Sequence, residues 1–260
     1  MTDRPRTRLF VDAPLSDGAA VPLEGGRAHY LRSVLRMQPG ERVLAFNGRD
    51  GEWLAEVAQL GKSGGALTAL RREREQTGEE GPWLLFAPLK GGRSDSVAEK
   101  ATELGAAVLH PVFTRRTDVG RVNLERLAAN AVEAAEQCER LSVPEVREAC
   151  PLFKALEGWD PARVLFVAAE SGRAAPAVSA VTAHRGRPAA WLLGPEGGFD
   201  RAELDGLMHL PFVVPVGLGP RVLRADTAAF AVLAVWQALA GDWTSQGGAD
   251  SRPPFRDDRG

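Results

Sequence analysis

Cysteine is nearly absent from this chain: Cys138 and Cys150 are the only two among 260 residues. Two thiols cannot build a disulfide framework or a cysteine-rich zinc site, so a reducing compartment, the cytoplasm, is the expected location. The four histidines, His29, His110, His184 and His209, show no ligand spacing, and no metal is expected. Long apolar runs are missing too. The longest, Ala228 to Leu239, is broken by Gln237, falls well short of the ~20 residues that span a bilayer, and reads as a buried helix, so no membrane partner is expected. The basic opening leads into only Leu9-Phe10-Val11 before Asp12, which is no secretory core, and export is not expected. A large excess of basic charge is also lacking. The net charge is −2, so any contact with nucleic acid has to be local. Lysine is scarce, with 4 residues against 28 arginines; that balance suits phosphate and base recognition and equally suits a codon bias.

What is present is the ordinary balance of a globular protein, 44% hydrophobic and 25% charged. The polar segment Gln76-Thr77-Gly78-Glu79-Glu80-Gly81-Pro82 separates two patterns and marks a boundary. Before it, Val43–Phe46 and Trp53–Val57 flank Asn47-Gly48-Arg49-Asp50-Gly51 as a hairpin. Ala66–Leu70 offers another strand, and Leu31, Val34 and Leu35 recur at helical spacing until Gln38-Pro39-Gly40. Residues 1–77 therefore read as a small β-rich domain with one helix. Its charge is slightly positive and that of the remainder slightly negative.

Beyond the boundary, apolar strands alternate with amphipathic helices. Trp83–Ala87, Val108–Phe113, Val164–Ala168, Ala190–Leu193 and Phe212–Val216 are the strands; Ser94–Leu104 and Leu124–Cys138 are the clearest helices. Gly105 stands where a helix C-cap glycine belongs. The alternation predicts an α/β domain with a mostly parallel sheet over 82–243. The last helix, Ala225–Ala240, carries Asp226 as its only charge. A helix apolar nearly all round needs cover on both sides, which predicts a homodimer. The tail, 244–260, is rich in Gly, Pro, Ser and charge, and disorder is expected there.

The chemistry is expected at two glycine-rich strand exits. Leu193-Gly194-Pro195-Glu196-Gly197-Gly198-Phe199-Asp200 follows a buried strand, and Asp200 with Glu203 forms a capping box for the next helix. Glu196 and the absence of a Gly-Lys-Ser/Thr ending disfavour a polyphosphate. Gly217-Leu218-Gly219-Pro220-Arg221-Val222-Leu223-Arg224-Ala225-Asp226 is the second exit. It lacks the third glycine of a dinucleotide fingerprint, which speaks against an oxidoreductase.

These two segments resemble the cofactor-binding signature of RsmE-type SPOUT methyltransferases. His29-Tyr30-Leu31-Arg32-Ser33-Val34-Leu35-Arg36, Glu99–Gly105 and Glu133–Cys138 agree with the same family, in its order, over about Arg8 to Leu239. The family usually has Glu where Asp226 stands, and a Lys-x-Asp-Arg-like segment where this chain reads Lys90-Gly91-Gly92-Arg93.

The resemblance implies a PUA-like β-barrel for RNA followed by a trefoil-knotted α/β domain that binds S-adenosyl-L-methionine and methylates N3 of a uridine in 16S rRNA, within the assembled small subunit. Leu193, Gly194, Glu196, Gly197, Gly198, Leu218, Gly219 and Leu223 are then the cofactor contacts. Arg224 is the expected stabiliser of charge on the uracil, and Asp226 the base or the group that orients Arg224; both also sit where a helix start favours an acid. Arg8, Arg32, Arg36, Arg115 and Arg116 are the expected phosphate contacts. Glu136 and Gln137 read as a surface polar pair or as substrate contacts. A non-catalytic RNA-binding factor with the same fold is the alternative, kept open by Asp226.

Overall fold

The computed structural model describes residues 5–78, 80–169 and 174–244. The expectation of a disordered tail falls outside the described residues except at Thr244. Two compact units emerge, one built from 1–78 with 135–143, the other from 79–134 with 144–248. The segment 135–143, which the sequence assigns to the second domain, thus groups with the first.

The first unit is a five-stranded half-barrel. Its strands are β1 (Arg8–Phe10), β2 (Ala20–Glu24), β3 (Arg42–Phe46), β4 (Glu52–Leu60) and β5 (Gly64–Arg74), in the order β1-β3-β4-β5-β2. The β1–β3 ladder is parallel and the others antiparallel. The expected hairpin is β3–β4. Its turn is held by Asn47, whose Oδ1 accepts the amides of Arg49 and Asp50 at 3.0 and 2.9 Å. Gly51 closes the turn at φ 83°, where a Cβ would lie 2.2 Å from the Arg74 carbonyl oxygen, so only glycine fits. Val21, Leu23, Val43, Ala45, Val57 and Leu67 alternate along the strands to fill the core.

The expected helix is α1 (Gly25–His29), which continues as a π turn over Tyr30–Val34. Leu31 is buried as expected, whereas Val34 is 61% exposed. The wider π turn rotates it off the inward stripe that α-helical spacing predicts.

The second unit is a parallel α/β sheet. Its main strands are β6 (Trp83–Phe86), β7 (Val108–Phe113), β10 (Val164–Ala168), β12 (Ala189–Leu193) and β13 (Val213–Gly217). Short β8 (Glu145–Val146), β9 (Cys150–Pro151) and β11 (Ala175–Pro176) lie at the margins. The order is β11-β13-β10-β12-β6-β7-β8, with β9 also on β7, and every ladder is parallel. The helices are α2 (Arg93–Glu103), α3 (Leu124–Cys138), α4 (Leu152–Ala155), α5 (Ala177–Ala183), α6 (Arg201–Met208) and α7 (Ala225–Ala240).

The central strands read as continuous apolar runs because helices cover both faces of the sheet. Gly105, at φ 78°, ends α2 as expected. The Gln237 side chain donates to the Leu104 carbonyl at 2.9 Å, satisfying a carbonyl at that helix end. The α7 residues Ala229, Val232, Leu233, Trp236 and Gln237 are buried, a single stripe at helical spacing. No helix among the described residues is long and apolar enough to cross a membrane.

His110, in the middle of β7, is buried, with its Nε2 3.4 Å from the Cys150 Sγ. Burial, aided by the Arg147 charge, lowers its pKa below the ordinary 6.5. The fold therefore prefers the neutral ring, so this group's share of stability is present above pH 6.5 and is lost as pH falls through the lowered folded value. Histidine NMR should show His110 titrating below 6.5. A His110→Gln variant should lose less stability than the wild type between about pH 7 and 5.

Candidate functional site

In an open parallel sheet, ligands gather at the carboxyl ends of the strands, where the loops leave. Here the ends of β6, β12 and β13, all parallel, release the Ala87–Gly92, Gly194–Asp200 and Leu218–Arg224 loops at the carboxyl end of the sheet. The ladder continues just past β12, since the Ala87 amide donates to the Leu193 carbonyl at 3.0 Å. The first glycine turn therefore starts from a fixed point.

That turn is tight. The Gly198 amide donates to the Pro195 carbonyl at 2.9 Å, and Gly198 has φ 67°. Gly194 lies against the Phe199 ring, which a Cβ would approach to 3.1 Å. Phe199 is itself buried, so the apolar ring anchors the turn from below while Glu196, Gly197 and Gly198 stay exposed.

The expected capping box is formed. Asp200 accepts the Ala202 amide at 3.0 Å, and Glu203 accepts the Asp200 amide at 3.0 Å. The buried Glu203 carboxylate also takes the Arg115 amide at 2.7 Å. The Ala202 amide, with Arg115 and Arg116 nearby, holds the Asp200 carboxyl below its usual range.

Replacing Glu203 with Ala leaves two part-buried backbone amides without their acceptor. The expected loss is about 1–2 kcal/mol, read by thermal unfolding, together with weaker binding of whatever the turn holds. An unchanged midpoint would remove Glu203 from this role.

Charged side chains surround the turn. Arg93, at the start of α2, pairs with Glu196. Arg116 donates to the Gly197 carbonyl at 3.0 Å, and Arg115 pairs with Asp200 at 3.1 Å. Arg115 and Arg116 thus brace the turn through exposed contacts, a role the sequence did not suggest.

The second exit is more open. Gly219 has φ 98° with no heavy atom within 4 Å of a Cβ built there, and Gly198 is equally open. Leu218 and Leu223 are half-buried, while Pro220, Arg221 and Val222 are exposed. Arg224 is the N-cap residue of α7, exposed and without an ion pair among the described residues. The Asp226 carboxylate accepts the Thr227 amide at 2.9 Å. It does not pair with Arg224 among the described residues, so the expectation that Asp226 orients Arg224 is not met.

Two further expectations are corrected. Arg8 is buried: its Nε lies 2.5 Å from Glu52, and its two Nη atoms donate at 2.7 Å to the carbonyls of Ala135 and Arg140. Its guanidinium also stacks on Phe46, and a side chain this buried is closed to phosphate. Glu136 is likewise structural, accepting the Phe10 amide at 2.8 Å and pairing with Arg27 at 3.3 Å. Arg32 and Arg36 lie at the surface of the first unit, half-buried and exposed respectively. Among the described residues no group of three or more His, Cys, Asp and Glu side chains is placed to hold a metal.

The family model described as an RNA methyltransferase domain matches residues 80–237, and that of an RNA methyltransferase PUA domain matches 23–68. A ribosomal RNA small subunit methyltransferase E from Synechocystis is 33% identical over 89% of this chain and 77% of the relative. Another, from Rickettsia conorii, is 28% identical over 87% of this chain and 93% of the relative. The crystal structure of the Neisseria gonorrhoeae ribosomal RNA small subunit methyltransferase E bound to S-adenosyl methionine has TM-score 0.82 and 27% identity, covering 92% of this chain and 99% of that one. A Legionella pneumophila protein solved in complex with the bound cofactor SAM has TM-score 0.76 and 26% identity, covering 89% of this chain and 97% of that one. With an RNA methyltransferase model matching more than half of its length and a relative 33% identical over 89% of it, this chain belongs to the ribosomal RNA small subunit methyltransferase E family of RNA methyltransferases.

Proposed function

We propose that this protein methylates N3 of a uridine in 16S rRNA, using S-adenosyl-L-methionine as donor. The observation that carries the reading is the pair of glycine turns at the carboxyl end of the parallel sheet, with open space beside Gly198 and Gly219. Adenosine asks for close backbone approach and apolar walls, and this end offers both. Leu193, Gly194, Glu196, Gly197 and Gly198 would hold the donor from one side, and Leu218, Gly219 and Leu223 from the other. The donor supplies an electrophilic methyl on a sulfonium.

The chain's own residues must do the rest. Uracil N3 carries a proton and becomes nucleophilic only as that proton leaves. Arg224, unpaired among the described residues at the edge of the second turn, presents a fork of N–H donors to the negative charge that develops on the uracil oxygens. Asp226 keeps one carboxylate oxygen beyond its bond to Thr227 and is the nearest acid in sequence to take the proton. Much of the acceleration then comes from holding base and donor at near-attack distance.

Arg32 and Arg36 contact phosphate. Arg115 and Arg116 reach it by exchanging exposed pairs with Asp200, which cost little to break. The small ribosomal subunit is the natural form of the substrate, and a cytoplasmic location follows from it. The chain works as a homodimer in which a second copy covers the half-buried Phe230, Ala234 and Val235 of α7. An RNA-binding factor without turnover is the competing reading.

Calorimetry with S-adenosyl-L-methionine and its demethylated product should show binding of both. Incubation with labelled donor and unmodified small subunits, followed by digestion and mass spectrometry, should yield N3-methyluridine. Absence of donor binding would overturn the proposal. RNA binding without methyl transfer would favour the competing reading.

A further inference from the structure

The residues at the exposed end of the first helical segment sort into stripes four apart. Leu31 is fully buried and Leu35 packs on the core. Arg32 and Arg36 form a shoulder. Tyr30 and Val34 face outward, 41% and 61% exposed, with His29 Nδ1 and Ser33 Oγ 3.2 Å apart beside them.

The backbone here departs from a plain helix. The Leu35 amide donates to the Tyr30 carbonyl at 3.0 Å, closing the π turn, and the Met37 amide reaches back to the Leu31 carbonyl at 2.9 Å. Between them Arg36 has φ 53°, in the left-handed cap position that glycine normally fills. A side chain there is strained. No acidic residue occurs between Gly25 and Gly40, and neither Arg32 nor Arg36 has an ion pair among the described residues. An uncompensated guanidinium on a strained backbone, six positions along the chain from an exposed ring, suits an anionic ligand with flat faces.

We propose that Tyr30, with Val34 beside it, is a stacking platform for an unpaired nucleobase, and that Arg32 and Arg36 take the phosphates flanking that base. The inference rests on the RNA-substrate reading above and adds that this surface takes single-stranded RNA. Every base offers a π face to a tyrosine ring. A duplex keeps those faces stacked within itself, and its grooves give this ring no base to meet.

The test titrates the full chain into a single-stranded oligoribonucleotide carrying 2-aminopurine, and into the same strand annealed to its complement. The wild type should quench the fluorophore in the single strand and not in the duplex. Tyr30→Ala should weaken single-strand binding about tenfold while the slope of affinity against salt stays the same. Tyr30→Phe should keep both affinity and quenching. Arg36→Gly should flatten the salt slope and, by relieving the left-handed strain, raise the thermal midpoint.

Wild-type affinity in Tyr30→Ala, equal quenching in the duplex, or no binding of the single strand by the wild type would each overturn the inference. Donor calorimetry on the same samples reads the parent proposal separately. A protein that binds donor but shows no stacking loses only this surface.

Discussion

Replacing Arg8 with Ala will destabilise the first unit by about 3–5 kcal/mol. Glu52 is 0% exposed, and Arg8 is its close partner. The next cation, Arg74, stands 3.6 Å from the other carboxylate oxygen. Without Arg8 the carboxylate stays buried with most of its compensation gone, and the Ala135 and Arg140 carbonyls lose their donors. A buried ion is costly alone and nearly neutral when both partners are replaced by apolar side chains of similar shape. The double variant Arg8→Met, Glu52→Leu should therefore be more stable than either single variant, which urea unfolding followed by circular dichroism would read. Additive losses would show that the pair is not coupled.

That pair also shows where the sequence stops being legible. Arg8 precedes an apolar strand near the start of the chain, a place where arginines are usually solvated, and its partners lie 44 and more residues away. Nothing local announces them. The available signal was on the other side: Glu52 opens the apolar run Trp53-Leu54-Ala55 and is an acid where the strand pattern leaves no solvent face.

By contrast, the two glycine turns, the Asp200–Glu203 capping box and the span of α7 could be read directly. They are set by contacts within a few residues: φ preference, capping hydrogen bonds and helical periodicity. The two-residue strands β8, β9 and β11 exist only because a longer neighbour pairs with them, so no periodicity could reveal them. Val34 misled for a related reason, since spacing counts assume 3.6 residues per turn and one π turn breaks the count. Arg115 and Arg116 were found as basic residues, but their grip on Asp200 and Gly197 spans more than eighty positions and belongs to the fold.

Arg224→Ala should slow methyl transfer by roughly 10²–10³-fold while leaving donor affinity near the wild-type value. The local structure separates this from a structural role. Arg224 occupies the N-cap of α7, and its side chain makes no capping hydrogen bond. Ser, Thr, Asp and Asn are the residues that stabilise such a position, and a cation at the positive end of the helix dipole is misplaced. Stability alone would therefore select against this arginine, and its presence calls for a ligand-directed reason.

The discriminating variant is Arg224→Ser. If Arg224 served the fold, both substitutions would lower the thermal midpoint and transfer would fall with it. If it serves the uracil anion, Arg224→Ser should raise stability by about 0.5–1 kcal/mol and still abolish transfer, with kcat falling and the donor dissociation constant unmoved. Arg224→Lys should recover only part of the rate, because a point charge cannot reproduce the paired donors of a guanidinium.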